Sequence, residues 1–340
     1  MIQKYFSRFR NRLKNVRYVY EHQTLSSFCV LMFRLSKDIV LHQLFVFRYI
    51  ILYGYDSQIP FKAIPSAKPV QNSEVTILIP FRDQAHLLET CIKSIFSLTQ
   101  YKNYRILLIN NRSTEPETFK YLDTLKKLSN VRILDYDKPF NYAGLHNWAM
   151  DFVETEFVLF LNNDTSVIGG SWLESLLSLI EQENVGAVGG LLLYPDGTVQ
   201  HAGVSFFGGL PFHIFSKQDP KGYYSTFINS VQEFSAVTGA CLMTKKSLYK
   251  KVGGLDGELF PVTYNDIDYC LKLKAFGYKI LYTPHALLYH HESASRGYDW
   301  IDIDKQNRAR LEQKKFTTKW KGFRDPYLSP RNHLLQRKPD

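Results

Sequence analysis

Hydrophobic and polar positions divide the chain into three regimes. Over residues 1–55 apolar side chains, many of them Phe, Tyr and Leu, recur at helical spacing among arginines with no proline, which predicts two or three helices. Residues 56–74 hold three prolines and few core-forming residues and read as a linker. From residue 75 onward, short apolar runs alternate with amphipathic stretches. VTILIP (75–80) reads as a buried strand, and a helix follows over 86–98 with Leu87, Leu88, Cys91, Ile92, Ile95 and Phe96 on one side. The pattern then predicts a strand at 105–109, a helix at 116–128, a strand at 131–134, a helix at 142–153 and a strand at 157–161.

Repeated strand–helix units of this length imply an α/β fold, with a mostly parallel sheet flanked by helices and a helical extension at the N-terminus. The second half is less regular. Gly-rich turns are expected at 186–190, 207–209 and 253–257, with a helix at 266–276, strands near 279–290 and a long helix near 302–320. The expected organisation is a basic extension over 1–55, a linker over 56–74, one domain over 75–330 and a tail over 331–340. Within the domain, 75–165 is expected to hold the regular strand–helix units and 166–330 the less regular part with a C-terminal helix.

Charge changes the picture only once it is located. The chain has 340 residues and a formal charge of +10. Residues 1–37 hold eight Lys/Arg and one acid, and residues 305–340 hold eleven Lys/Arg and three acids, so the intervening body is at −5. A nucleic-acid binder would interleave basic and aromatic residues on one surface, and only the N-terminal stretch partly does so. The same stretch suits a helix lying on an anionic membrane. No segment reads as a membrane span: the most apolar stretch, 39–53, is broken by His42 and Arg48 and falls short of the roughly 20 residues required. No signal peptide is expected either, because the apolar run at 28–33 starts late and ends at Arg34. The four cysteines lack zinc or disulfide spacing, and the sequons at Asn111 and Asn163 read as chance matches.

In open α/β sheets the ligand crevice lies beyond the carboxyl ends of the strands. Here those ends read PFRD (80–83), INNRS (109–113) and LNND (161–164), all polar. There is no GxxxxGK[ST] loop, no GxGxxG after the first strand, no GxSxG and no HExxH, which removes P-loop, dinucleotide-binding, serine-hydrolase and zinc-protease readings. Asn162-Asn163-Asp164 places a carboxylate just past a buried strand, where it suits a divalent cation holding a diphosphate and equally suits plain turn chemistry. Asp266 and Asp268 open a predicted helix; positions i and i+2 diverge by about 200°, so one can face a site while the other caps or pairs. His290 and His291 follow an apolar strand, and adjacent strand side chains point to opposite faces, so at most one reaches a metal.

In order, VTILIPFRD, LLINNRST, PFNYAGLHNWA, FVLFLNNDT, VGAVGGLLLYPDGTVQHAGV, AVTGACLMTKKSLYKKVGGLD, YNDIDYCLKLKAFGYKILYTPHALLYHHESASRG and DPYLSP resemble the bacterial family 2 glycosyltransferases. The branch they resemble builds surface polysaccharides and O-antigens and includes rhamnosyltransferase-like members. The resemblance implies a GT-A fold, an inverting transfer from a nucleotide-diphosphate sugar to a glycan or lipid-linked acceptor, and Mn²⁺ or Mg²⁺. It places Pro80, Phe81, Arg82 and Asp83 around the base and ribose, and Asn110 where many members hold a base-binding acid. Asn163 and Asp164 fall on the metal-binding DXD element, with Asp164 the ligand. Asp266 falls on the catalytic base, and His290 or His291 on a histidine near metal and diphosphate. Arg82 and Arg296 are candidate phosphate partners. The aromatic stretch Val204–Phe215 is expected to be either a mobile loop over the acceptor or part of the core packing, and the resemblance makes 75–165 the nucleotide-binding half and 166–330 the acceptor half. The implied location is the cytoplasmic face of a bacterial membrane. The competing reading is a noncatalytic carbohydrate- or nucleic-acid-binding protein, which would require the Asp164 and Asp266 positions to be vacant.

Overall fold

A computed structural model of the chain describes residues 72–291 and 302–327. The N-terminal extension, most of the linker, Arg296 and the tail lie outside the described residues. Eight strands form the backbone of a ten-stranded sheet, and six of these eight run parallel. In chain order they begin with β1 (Val75–Phe81), β2 (Tyr104–Asn110), β3 (Val131–Asp135) and β4 (Phe157–Leu161). They continue with β5 (Thr165–Val167), β6 (Val185–Leu193), β7 (Val199–His201), the hairpin β8 (Val204–Phe207) and β9 (Leu210–His213), β10 (Gln232–Phe234), β11 (Cys241–Lys245) and β12 (Lys279–His290). The order across the sheet is β10-β12-β6-β11-β4-β1-β2-β3, with β5 added to β12 and β7 to β6. Strand β11 is antiparallel to both its neighbours, β4 and β6.

The parallel strands are continuous apolar runs because both faces are covered. Period-2 alternation deals their residues to two cores. Val75, Ile77 and Ile79 of β1 with Leu159 and Leu161 of β4 face one core, and Leu78, Val158 and Phe160 face the other. The first core is roofed by α1 (Ala85–Leu98), α2 (Pro116–Leu125) and α4 (Trp172–Ile180). The second is roofed by α3 (Tyr142–Ala149), α6 (Lys246–Lys251), α7 (Asn265–Ala275) and Phe316 of α8 (Ile303–Lys319). A short helix, α5 (Ser225–Ile228), precedes β10.

Two expectations are corrected. The glycines at 186–190 are not a turn; they lie inside β6, which is buried along its whole length. A Cβ on Gly189 would come within 2.6 Å of Val237, and one on Gly190 within 2.4 Å of the Ala286 carbonyl, so these glycines admit close neighbours to a central strand. The aromatic stretch at 204–215 begins as the β8–β9 hairpin, turning at Gly208-Gly209, with Phe206 buried against Phe316 and Phe323. No helix among the described residues is long and apolar enough to cross a membrane.

Candidate active site

Strand register aligns the polar strand ends. Phe81 pairs with Asn110, and Asn110 with Asp135. Phe81 itself is buried in the core, Pro80 is half-buried, and Arg82 is exposed with its guanidinium 3.9 Å from Asp83. Asp83 and Gln84 both adopt left-handed backbone, with φ of 51° and 54°. That turn lets the Asp83 carboxylate accept hydrogen bonds from the amides of Thr114 (2.6 Å) and Glu115 (2.8 Å), while its own N–H donates to Ser113 Oγ (2.8 Å). Asp83 therefore ties the β1 loop to the start of α2. The Asn110 amide is also committed: Nδ2 donates to Asp135 Oδ1 (2.8 Å), and Oδ1 accepts from the Ser113 amide (3.1 Å). Asp135 thus carries the carboxylate at this end of the sheet. In the sequence it falls one residue beyond the strand expected at 131–134. Asn111 and Asn163 are both buried, so neither sequon offers an accessible amide.

Beyond β4, Asp164 is buried and meets His290 at the end of β12, with Oδ1 3.1 Å from Nε2. His290 Nδ1–H donates to Gln200 Oε1 (2.6 Å), because an amide oxygen can only accept. Gln200 thereby orients the imidazole from behind, with Nε2 3.4 Å from Asn162 Nδ2 and turned toward the Asp164 carboxylate. The contact is poorly aligned as a hydrogen bond, and Asp164 Oδ1 and Asn163 Nδ2 are both buried without a hydrogen-bond partner. Burial pushes the Asp164 carboxyl up, but contact with His290, its own backbone amide and the nearby His291 outweigh burial and hold it below the usual range. A carboxylate oxygen and an imidazole nitrogen are donors of the kind that would hold Mn²⁺ or Mg²⁺. No group of three or more His, Cys, Asp or Glu suited to a metal occurs among the described residues. His291 approaches Asp164 through its backbone, its N–H donating to the Asp164 carbonyl (2.9 Å).

Asp266, at the start of α7, lines a cavity of about 530 Å³ together with Asn162, Tyr142 and Tyr264. The opposite wall includes Phe212 and His213 of the hairpin and Arg310 of α8. Asp266 Oδ2 accepts from the Gly239 amide (2.7 Å), and Oδ1 accepts from the Ile267 amide (2.8 Å). Tyr264, the residue capping this helix, is held at φ 63° and stacks on Phe316, ring centroids 4.9 Å apart. Such a cost in a non-glycine residue is met where packing fixes a site. Asp268, two residues on, is fully buried and pairs with Lys319 (2.8 Å), Lys272 (3.5 Å) and the Trp320 indole (2.9 Å). One aspartate faces the cavity and the other ties α7 to α8, as the helical angle between them requires.

Two further buried carboxylates were not singled out from the sequence. Glu312 of α8 accepts from the backbone amide of Thr263 (2.5 Å) and from its hydroxyl (2.7 Å), just before Tyr264. Asp325 accepts from Ser205 Oγ, the Phe206 amide and Ser235 Oγ at 2.5–2.8 Å. Both secure walls of the cavity. In a sequence they look like ordinary helix and turn acids, because their amide partners are distant along the chain.

Residues 76–253 match the family model described as glycosyl transferase family 2. The chain is 38% identical over 269 residues to the protein y4gI of Sinorhizobium fredii, an alignment covering 77% of this chain and 29% of that protein. It is 40% identical over 241 residues to the O-antigen biosynthesis protein RfbC of Myxococcus xanthus, covering 68% of this chain and 18% of RfbC. It is 26% identical over 235 residues to an N-acetylglucosaminyl-diphospho-decaprenol L-rhamnosyltransferase of Mycobacterium tuberculosis, covering 62% of this chain and 74% of that enzyme. The chain therefore spans less than a third of y4gI and of RfbC. Among solved structures, the mannosyltransferase PcManGT from Pyrobaculum calidifontis, in complex with GDP-Man and Mn²⁺, superposes with a TM-score of 0.60 at 16% identity, over 87% of this chain and 79% of that one. The sheet, its two helical layers and this likeness are those of a GT-A glycosyltransferase. The matched segment covers more than half of the sequence, and the chain belongs to glycosyltransferase family 2.

Proposed function

We propose that this chain is an inverting glycosyltransferase that moves a sugar from a nucleotide-diphosphate sugar to a hydroxyl of a glycan or lipid-linked acceptor, in the synthesis of a surface polysaccharide. The observation that carries the reading is the cavity itself. It presents the Asp266 carboxylate on one wall and, through Asn162, adjoins the Asp164–His290 pair.

In this reading the nucleotide lies over the ends of β1 and β2, where Asp135 supplies the carboxylate that Asn110 lacks. Asp164 and His290 would hold the divalent cation, which when bound supplies neutralisation of the diphosphate as a Lewis acid. Asp266 accepts the proton of the acceptor hydroxyl as its oxygen bonds to the anomeric carbon. The bond from that carbon to the diphosphate breaks on the opposite face, and its electron pair leaves with the diphosphate. The transition state is oxocarbenium-like, so the flat rings of Tyr142, Tyr264 and Phe212 suit the sugars on either side of it. Names of relatives that refer to O-antigen biosynthesis and to a diphospho-decaprenol acceptor support the surface-polysaccharide class. A body at −5 between basic ends supports attachment to the inner face of a membrane.

The test is a thermal-shift screen of UDP-, GDP- and dTDP-sugars with Mn²⁺, followed by transfer assays on Asp266→Asn. One nucleotide class is expected to raise the melting temperature. The Asp266→Asn enzyme is expected to bind that donor and to transfer about 10²–10⁴-fold more slowly. Transfer within a few fold of wild type would remove Asp266 from the role of base.

A further inference from the structure

The transfer step above uses the ring of Tyr142 but not its hydroxyl, and it leaves Gly239 unused; the two come from separate stretches of sequence, NYAG and VTGA, and the fold brings them together at Asp266. The Gly239 N–H donates to Asp266 Oδ2 (2.7 Å), and the carbonyl of the same residue accepts the Tyr142 hydroxyl (3.1 Å). That hydroxyl lies 3.5 Å from Asn162 Oδ1, so Tyr142 stands between the base and the triplet that ends in Asp164. Both residues line the cavity. We infer that Gly239 and the Tyr142 hydroxyl form a brace that fixes the Asp266 carboxylate in the cavity, which makes Tyr142 a positioning residue for the base. The inference rests on Asp266 being that base.

Three observations support the brace. Of the two hydrogen bonds to the Asp266 carboxylate, that from Ile267 comes from its own helix and that from Gly239 comes from elsewhere in the fold, so the second sets its direction. Tyr142 keeps its proton at any working pH: burial first, then the charge of Asp266, Tyr249 and Asp164, push its phenol far above the usual value. Its O–H is therefore a permanent donor to the Gly239 carbonyl, and that bond holds the residue whose N–H directs the Asp266 carboxylate. Finally, Gly239 has no positive φ to explain it. A Cβ there would stand 3.2 Å from the Tyr142 hydroxyl and 3.3 Å from the Asp266 Cβ. The glycine is present because the base and the tyrosine close on it from two sides.

The test uses the full chain labelled with ¹⁵N-glycine, with the Gly239 amide assigned by its loss in Gly239→Ala. Its proton resonance is expected to move in Asp266→Asn, where an amide replaces the carboxylate that accepts its hydrogen bond. Tyr142→Phe is expected to move the resonance, whereas Tyr249→Phe is not; Tyr249 is a buried tyrosine that gives its hydroxyl to Asn147 (2.5 Å). In release of nucleoside diphosphate from UDP-glucose, UDP-N-acetylglucosamine, GDP-mannose and dTDP-rhamnose with Mn²⁺, Tyr142→Phe should lower kcat about three- to tenfold and leave the donor KM within about twofold. A Gly239 resonance in Tyr142→Phe that matches wild type overturns the brace. Retained transfer in Asp266→Asn would instead overturn the base assignment, and with it the role given to Tyr142. An inactive Asp266→Asn with an unresponsive Gly239 amide in Tyr142→Phe overturns the brace alone.

Discussion

Asp266 and Asp268 share one turn of α7 and have opposite surroundings, which makes them separable by experiment. Asp268→Ala removes a buried partner of Lys319 and Lys272 and should destabilise the fold by about 3 kcal/mol. Asp266→Asn, at a half-exposed cavity wall, should leave the unfolding free energy within about 0.5 kcal/mol and slow transfer about 10²–10⁴-fold. Urea unfolding and an activity assay on both variants check the pairing; a stable Asp268→Ala would show that α8 is not held through this carboxylate. His146 gives a second residue-scale prediction. Burial lowers its pKa from 6.5 to about 4, partly offset by its bond to the Tyr142 carbonyl, and its Nε2 has no hydrogen-bond partner. As pH falls below 6.5 the unfolded chain takes up a proton that the folded chain refuses, so stability is full above 6.5 and declines toward pH 4. At pH 5 the penalty from this residue is about 2 kcal/mol. His146→Phe, between the rings of Tyr142 and Phe160, should lose correspondingly less stability between pH 7 and pH 5 in urea titrations. His201, also held neutral by burial and by the charge of His213 and His290, accounts for acid sensitivity that remains.

Among the elements, those that repeat were readable and those that cross were not. The strands β1, β2 and β4 and the helix α1 fall within a residue or so of their expected bounds, because a strand buried on both faces and a one-sided helix leave distinct hydrophobic periods. The β6 glycines misled because a glycine carries the same letter whether it turns the chain or admits a neighbour. The hairpin at 204–213 looked like a loop because its aromatic residues pack on α8, a partner more than a hundred residues away. At the site, Asp164, Asp266 and His290 could be seen as strand-end and helix-start residues. Asp135, Glu312 and Asp325 could not, since their importance comes from backbone amides and side chains supplied by other elements. Helix α8 lies beyond the segment matched to the family and closes one wall of the cavity. Glu312→Ala should therefore cost about 2–4 kcal/mol in urea unfolding, by leaving the Thr263 amide without its acceptor and removing the ion pair with Arg308. It should also raise the acceptor KM more than the donor KM, because Thr263 and Arg310 line the cavity beside Asp266. Equal changes in both would separate α8 from acceptor binding.

For the whole molecule, the distribution of charge matters more than its sum. The site works with carboxylates, and the body that holds it is at −5, so a polyanionic surface should repel the catalytic face and attract the basic ends. Each basic residue near an anionic lipid surface contributes about 1 kcal/mol, and the attraction fades within a Debye length of about 8 Å at physiological salt. In the proposed attachment, ends carrying +7 and +8 make the binding electrostatic and therefore reversible by salt. The full chain should therefore co-sediment with vesicles of phosphatidylglycerol and phosphatidylcholine at about 50 mM NaCl, release at about 500 mM, and ignore vesicles of phosphatidylcholine alone. The same salt series with single-stranded DNA distinguishes the alternatives, since both ligands are polyanions. Vesicles should hold the protein at salt concentrations that free it from DNA, because aromatic and leucine side chains among the N-terminal arginines add an apolar contribution that salt does not screen. Tighter binding to DNA than to vesicles across the series would return the basic ends to a nucleic-acid role and detach the location of the enzyme from its charge.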